Sequence, residues 1–206
     1  MHYTLTELTS LSDSLLPPWL ELYELAFPPN ERVLAARIIR SLGEIAQDNG
    51  RGRHLLAATN AEGTLCGLAF TYEPEDQPVG FLWYFATLPE LRGQGLGAWI
   101  YHRLLERLRP GVKALVFDLE DPNQINDPAG RVLAVRRANF YHRLGAQLIG
   151  GITYWQTVGP HVAPMRGWLM AHPLADLTAR EAVDLCLPVL GDVIEINEIP
   201  YWAEVG

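Results

Sequence analysis

The chain has 206 residues, 49% apolar and 19% charged, which is enough apolar content for a buried core and too little charge for a disordered chain. Its 16 Lys and Arg against 24 Asp and Glu leave a formal charge of −8, which argues against broad binding to nucleic acid or to an anionic membrane surface. Cys66 and Cys186 stand far apart with no metal-ligand spacing, so a reduced, cytoplasmic protein without a metal is expected.

Residues 1–10 lack the basic and apolar segments of a signal peptide, and no apolar run is long enough to span a bilayer. Residues 2–8, HYTLTEL, alternate and predict a strand. Pro17-Pro18 opens a helix that Pro28-Pro29 stops. Asn30 is read as the cap of a second helix with Leu34, Ile38, Leu42 and Ile45 on its apolar face and Asn49-Gly50 as its end. Residues 53–59 and 64–73 predict a hairpin across Asn60 to Gly63.

The apolar run Phe81 to Thr87 predicts the next strand. After Leu88-Pro89-Glu90-Leu91 come Arg92-Gly93-Gln94-Gly95-Leu96-Gly97-Ala98 and a helix whose buried stripe is expected at Ile100, Leu104, Leu105 and Leu108. Residues 113–120 predict a central strand with acids at its end. Asp127-Pro128 starts a helix that runs to about Leu144 and stops at Gly145. Two further strands, 147–157 and 165–172, are separated by Val158 to His161. Beyond Pro173, Thr178 and Glu181 form a capping box, and the last segment, DVIEINEI, is expected as an extended arm. The pattern predicts a main domain over residues 1–172 and, over residues 173–206, an appendage that packs on it or on a second copy as a homodimer contact. The fold class is α/β (α+β), a mixed sheet with helices on both faces.

Strand, glycine loop and helix in that order place unpartnered N–H groups at a helix N-terminus, where an anion is favoured. Residues 92–98 are therefore expected to hold a phosphate or pyrophosphate. Gly93 to Ala98 partly match a dinucleotide fingerprint, with Asp118 at roughly the ribose-binding distance. Against this, and against an S-adenosylmethionine site, Leu88 to Arg92 separate strand from glycines, and several elements precede the unit.

Arg92-x-x-Gly95-x-Gly97, preceded by a strand and Pro89-Glu90, closely resembles the signature of the GNAT superfamily of acyl-CoA-dependent N-acyltransferases. Downstream, Ala138-Asn139-Phe140-Tyr141-His142-Arg143-Leu144-Gly145-Ala146 is similar to that superfamily's Phe-Tyr…Leu-Gly segment. The resemblance covers about residues 3–172 and implies a mixed, mostly antiparallel sheet of about seven strands.

The resemblance implies acetyl-CoA as co-substrate and a small-molecule or peptidyl amine as acceptor. Backbone groups of Phe85, Ala86 and Thr87, at a bulge where the strand opens, would hold the pantetheine arm and acyl carbonyl. Arg92, Gly93, Gln94, Gly95, Leu96, Gly97 and Ala98 would hold the pyrophosphate, with Arg143 as a further phosphate contact. Tyr141 matches the family's general acid, a phenol that is protonated at neutral pH. The carboxylate that many members carry on the strand before the loop is replaced by Trp83 and Tyr84. Glu120 and Asp118 are the substitutes as general base, with Glu73 behind them, and Glu120 is taken as the catalytic carboxylate. The family's asparagine seven residues before the tyrosine is Ala134 here. Trp83, Tyr84, Tyr72, Tyr154 and Trp155 are candidates for an apolar acceptor pocket. Two other classes stay open: an acyl-CoA-binding regulatory module without turnover, and a dinucleotide-dependent oxidoreductase.

Overall fold

A computed structural model describes residues 2–29, 31–46, 52–156 and 163–205. The expected cap Asn30, the helix end at Asn49-Gly50 and the connector 158–161 with His161 lie outside the described residues. The chain forms two compact units, residues 1–76 with 81–110, and residues 77–80 with 111–206.

In the first unit the elements are β1 (Thr4–Leu8), α1 (Leu16–Ala26), α2 (Ala35–Ala46), β2 (Arg53–Thr59), β3 (Leu65–Tyr72), β4 (Val79–Thr87, from Phe81 onward) and α3 (Leu96–Arg107). β1, β2, β3 and β4 pair in that order, each pair antiparallel. β2 and β3 are buried along most of their length because helices cover both of their faces. On one face Trp19, Leu22 and Tyr23 of α1 and Ile38 and Leu42 of α2 pack on Leu55, Ala57, Leu68 and Phe70. The Trp19 Nε1–H donates to the Leu56 carbonyl at 3.0 Å, which satisfies the one polar atom of that buried indole. On the other face Leu96 and Ile100 of α3 pack on Ala58 and Cys66. Gly67 permits this approach: a Cβ there would stand 2.7 Å from Ile100 Cδ1 and 2.9 Å from the Ala86 carbonyl oxygen.

Two expectations about apolar faces are corrected. Leu34 precedes α2 and is 77% exposed, so the face of that helix rests on Ile38 and Leu42. On α3 the buried stripe is Leu96, Ile100, Tyr101 and Leu104, while Leu105 and Leu108 are only half-buried. The stripe starts one turn earlier than predicted, which brings Tyr101 to the sheet in their place.

The second unit holds β5 (Ala114–Glu120), α4 (Pro128–Arg143), β6 (Gln147–Gln156), β7 (Met165–Pro173), α5 (Ala179–Leu190) and β8 (Ile194–Ala203). β7 lies between β5 and β6, and β8 flanks β6, again with antiparallel pairs. Thr178 and Glu181 form both hydrogen bonds of the capping box at the start of α5. The last segment, expected as an arm, is an eighth strand laid along β6. The fold is thus mixed α/β, with eight mostly antiparallel strands and five helices among the described residues. No helix among them is long and apolar enough to cross a membrane.

Candidate active site

β4 carries a bulge. Phe70 faces Tyr84 and Thr71 faces Leu82, so Trp83 is an extra residue with no partner on β3. The sequence places the opening at Phe85 to Thr87; on the β3 side those residues keep a regular register with Ala69, Leu68 and Gly67, and the irregularity lies just before them. Such a bulge interrupts the ladder and bends the strand. Tyr84 is committed to structure: the Val33 N–H donates to its hydroxyl oxygen at 3.1 Å, and the Tyr23 hydroxyl donates to the Val33 carbonyl at 2.9 Å. Its ring meets Tyr23 edge-on at 4.8 Å and Phe27 at 5.0 Å. Tyr84 thereby ties the segment between α1 and α2 to the bulge. Nothing in the local sequence signals this tie, because Val33 and Tyr84 are 51 residues apart.

After β4 the chain makes a short 3-10 turn, Pro89–Leu91, and enters the glycine loop. Gly93 and Gly95 have φ of 76° and 84°, left-handed values that disfavour any side chain. A Cβ on either would meet nothing within 4 Å, so both glycines border open space. Gly95 is the N-cap of α3, and the first backbone bond of the helix runs from the Trp99 N–H to the Gly95 carbonyl at 3.0 Å. The N–H groups of Leu96, Gly97 and Ala98 come before it and have no acceptor within the helix. Gly97 lies in this first turn and adds no Cβ beside these amides. Arg92 and Gln94 are exposed on the same loop, and Gln94 Nε2 braces it by donating to the Glu90 carbonyl at 2.9 Å. A solvent-exposed loop with left-handed glycines ahead of a helix N-terminus is a place where an anion is favoured.

In the second unit Asp127 caps α4, accepting from the Gly130 N–H at 2.8 Å. The helix closes with a Schellman motif: the Ala146 N–H donates to the Tyr141 carbonyl at 3.1 Å, the Gly145 N–H donates to the His142 carbonyl at 3.0 Å, and Gly145 takes φ 99°. The Leu-Gly-Ala run after Tyr141 therefore fixes the last turn of the helix that carries it. Ala134, Ala138 and Tyr141 form the buried face of α4. Ala134 is 2% exposed, so the position of the family's asparagine points into the core. Tyr141 packs on Phe117 at 4.4 Å and Phe140 at 5.0 Å between ring centres. Burial pushes its phenol above the usual value, the Arg137 charge opposes this, and the Asp118 carboxylate adds to it.

The predicted carboxylates have different surroundings. Asp118 is half-buried and has no ion-pair partner among the described residues, and burial pushes its carboxyl up to about 6. Glu120 is held by Arg137, Oε2 to Nη1 at 2.7 Å. Glu73 follows the end of β3, four residues past Ala69 and six past Gly67, about 13 and 20 Å along the strand from the partners of Phe85 and Thr87. There it accepts from the Arg109 N–H at 3.0 Å and stands 3.8 Å from His54. It is a strand-end anchor, remote from Phe85 to Thr87. Arg143 and Arg136 are exposed on α4. Tyr154 and Trp155 lie on β6 in the second unit, whereas Tyr72, Trp83 and Tyr84 lie in the first.

Residues 16–146 match the family model described as acetyltransferase (GNAT) family. No curated protein matches the chain. Among solved structures, a GNAT-family protein from Bacteroides thetaiotaomicron is similar, with 22% identity, 91% of this chain and 98% of that chain covered, and a TM-score of 0.69. A spermidine N-acetyltransferase chimera from Vibrio cholerae and hSSAT is similar at 14% identity, with 84% and 96% covered and a TM-score of 0.61. A GNAT-family acetyltransferase from Elizabethkingia anophelis with acetyl-CoA bound is similar at 16% identity, with 84% and 98% covered and a TM-score of 0.54.

Proposed function

The chain belongs to the acetyltransferase (GNAT) family, and we propose that it is an N-acetyltransferase that moves the acetyl group of acetyl-CoA to a primary amine by direct attack. The observation that carries this reading is the cradle at residues 92–98, with left-handed Gly93 and Gly95 ahead of free first-turn amides. Arg92, Gly93, Gln94, Gly95, Leu96, Gly97 and Ala98 would hold the pyrophosphate, Phe85, Ala86 and Thr87 the pantetheine and acyl end, and Arg143 a phosphate. Acetyl-CoA supplies the activated acyl group as a thioester.

Transfer forms a bond from the amine nitrogen to the acyl carbon and breaks the bond from that carbon to sulfur. The amine loses a proton and the departing thiolate gains one. Tyr141 is the donor of the second proton, because its buried phenol keeps its hydrogen across the working pH range. The acceptor of the first proton is a carboxylate of β5. The environment favours Asp118 over Glu120: the former has no cation beside it among the described residues and burial pushes its carboxyl up to about 6, and the latter is engaged by Arg137. Glu120 then serves to hold Arg137. Residues 1–172 carry the transferase, and residues 173–206 are an added segment that supplies α5 and β8. The acceptor is a small or peptidyl amine, a class to which the spermidine of the similar Vibrio protein belongs.

Acetyl-CoA at about a hundredfold excess over its Kd is expected to stabilise the protein by about 2.7 kcal/mol and raise Tm by roughly 5–10 °C in a thermal melt. NAD and S-adenosylmethionine should leave Tm unchanged, and the reverse ranking contradicts the reading. A second reading, an acyl-CoA-binding module without turnover, draws on the absence of a carboxylate from β4 at Trp83 and Tyr84. It predicts the same melt but no release of coenzyme A with any amine.

A further inference from the structure

The bulge does more than interrupt the ladder. In a regular strand Trp83 and Tyr84 would point to opposite faces. Here both meet the same aromatic neighbour: Trp83 stands edge-on to Phe70 at 5.1 Å, and Tyr84 stacks on Phe70 at 6.4 Å. Trp83 is also stacked on Tyr72 at 5.0 Å with the rings 28° apart. Its indole is thus braced on two sides, and yet 37% of its surface is exposed. Tyr84, the other bulge residue, is tied down by Val33. The extra residue of the bulge therefore presents a rigid aromatic face to solvent.

This face is two residues before Phe85, about 7 Å along the strand. We infer that Trp83 selects the acceptor by stacking on it, and that the preferred acceptor is a primary amine joined by a short linker to a flat aromatic body. The inference rests on the acetyl-transfer reading above, in which Phe85 to Thr87 hold the acyl end. An aryl group on Trp83 needs only a short linker to carry its amine along the strand toward Phe85. A fixed indole loses little freedom on stacking, which makes it a suitable selector for a flat group. The chain's charge of −8 has the sign that draws the ammonium form in which such an amine arrives.

The test compares phenethylamine with hexylamine in wild type, Trp83→Leu and Trp83→Phe, following coenzyme A release. Wild type should favour phenethylamine roughly tenfold in kcat/KM. Trp83→Leu should lose that preference, the ratio of kcat/KM for the two amines falling to about one while the KM for acetyl-CoA stays within about twofold, and Trp83→Phe should keep most of it. A wild type without the preference overturns the inference, as does a Trp83→Leu that keeps it or slows both amines equally. So does a Trp83→Leu that changes only the choice between acetyl-CoA and octanoyl-CoA, or only the sedimentation of the protein. If wild type releases coenzyme A with no amine, the acetyl-transfer reading fails by itself. A fluorescence titration of phenethylamine into the coenzyme A-loaded protein then decides: saturable quenching that Trp83→Leu abolishes supports the aromatic subsite, and no saturable binding overturns it.

Discussion

Tyr141→Phe is expected to lower kcat by roughly 10²- to 10³-fold while changing acetyl-CoA affinity by less than about twofold. The ring stays, so its packing on Phe117 at 4.4 Å and on Phe140 is retained and the fold is preserved. What is lost is the hydroxyl that would return a proton to the thiolate. Because burial and the Asp118 carboxylate push the phenol above its usual value, it stays protonated at any pH where the protein works. The wild-type rate should therefore show no alkaline loss traceable to this group below about pH 10. Steady-state kinetics with calorimetric titration of acetyl-CoA separates the two effects. A kcat unchanged by the substitution removes Tyr141 from the chemistry.

Asp118→Asn should move activity and stability in opposite directions. In the wild type kcat/KM should rise with pH through about 6 as the carboxylate ionises and becomes competent as a base. The Asn variant should lose that acid limb and fall roughly 10²-fold at neutral pH. For stability, the folded value of about 6 lies above the ordinary 3.8, so the folded state binds this proton more tightly than the unfolded one. The group favours folding most at pH below about 4, and that contribution is lost as pH rises through 6. At pH 8 the half-buried carboxylate is ionised at a cost, which asparagine avoids. Asp118→Asn should then be more stable by about 1–2 kcal/mol at pH 8 and equal to wild type near pH 4, by urea unfolding. An acid limb that persists in Asp118→Asn assigns the base elsewhere, and Glu120→Gln becomes the next variant.

Features set by a few neighbouring residues were legible in the sequence. The capping box of Thr178 and Glu181, the Asp127 cap, the stop at Gly145 and the loop from Arg92 to Gly97 each follow from backbone needs met within one turn. The same locality made the family visible, since its two motifs are a glycine turn and a helix C-terminus. Features set by distant partners were not legible. The position of the bulge at Trp83 is a matter of register against Phe70 and Thr71, which no pattern within β4 records. The alternation of the last segment suits an arm or a strand equally, and only its pairing with β6 decides. Glu120 and Asp118 look alike in sequence, two residues apart at a strand end; Arg137 beside one and none beside the other separates them.

The proposed reaction is acyl transfer from acetyl-CoA to an amine. The most direct test incubates the full chain with acetyl-CoA and a panel of aryl and aliphatic primary amines, follows free thiol, and identifies the product by mass. The expected result is amine-dependent thiol release matched mole for mole by N-acetylated amine, abolished by omitting either substrate and strongly reduced in Tyr141→Phe. Binding of acetyl-CoA with no amine-dependent thiol release and no acetylated product would contradict it.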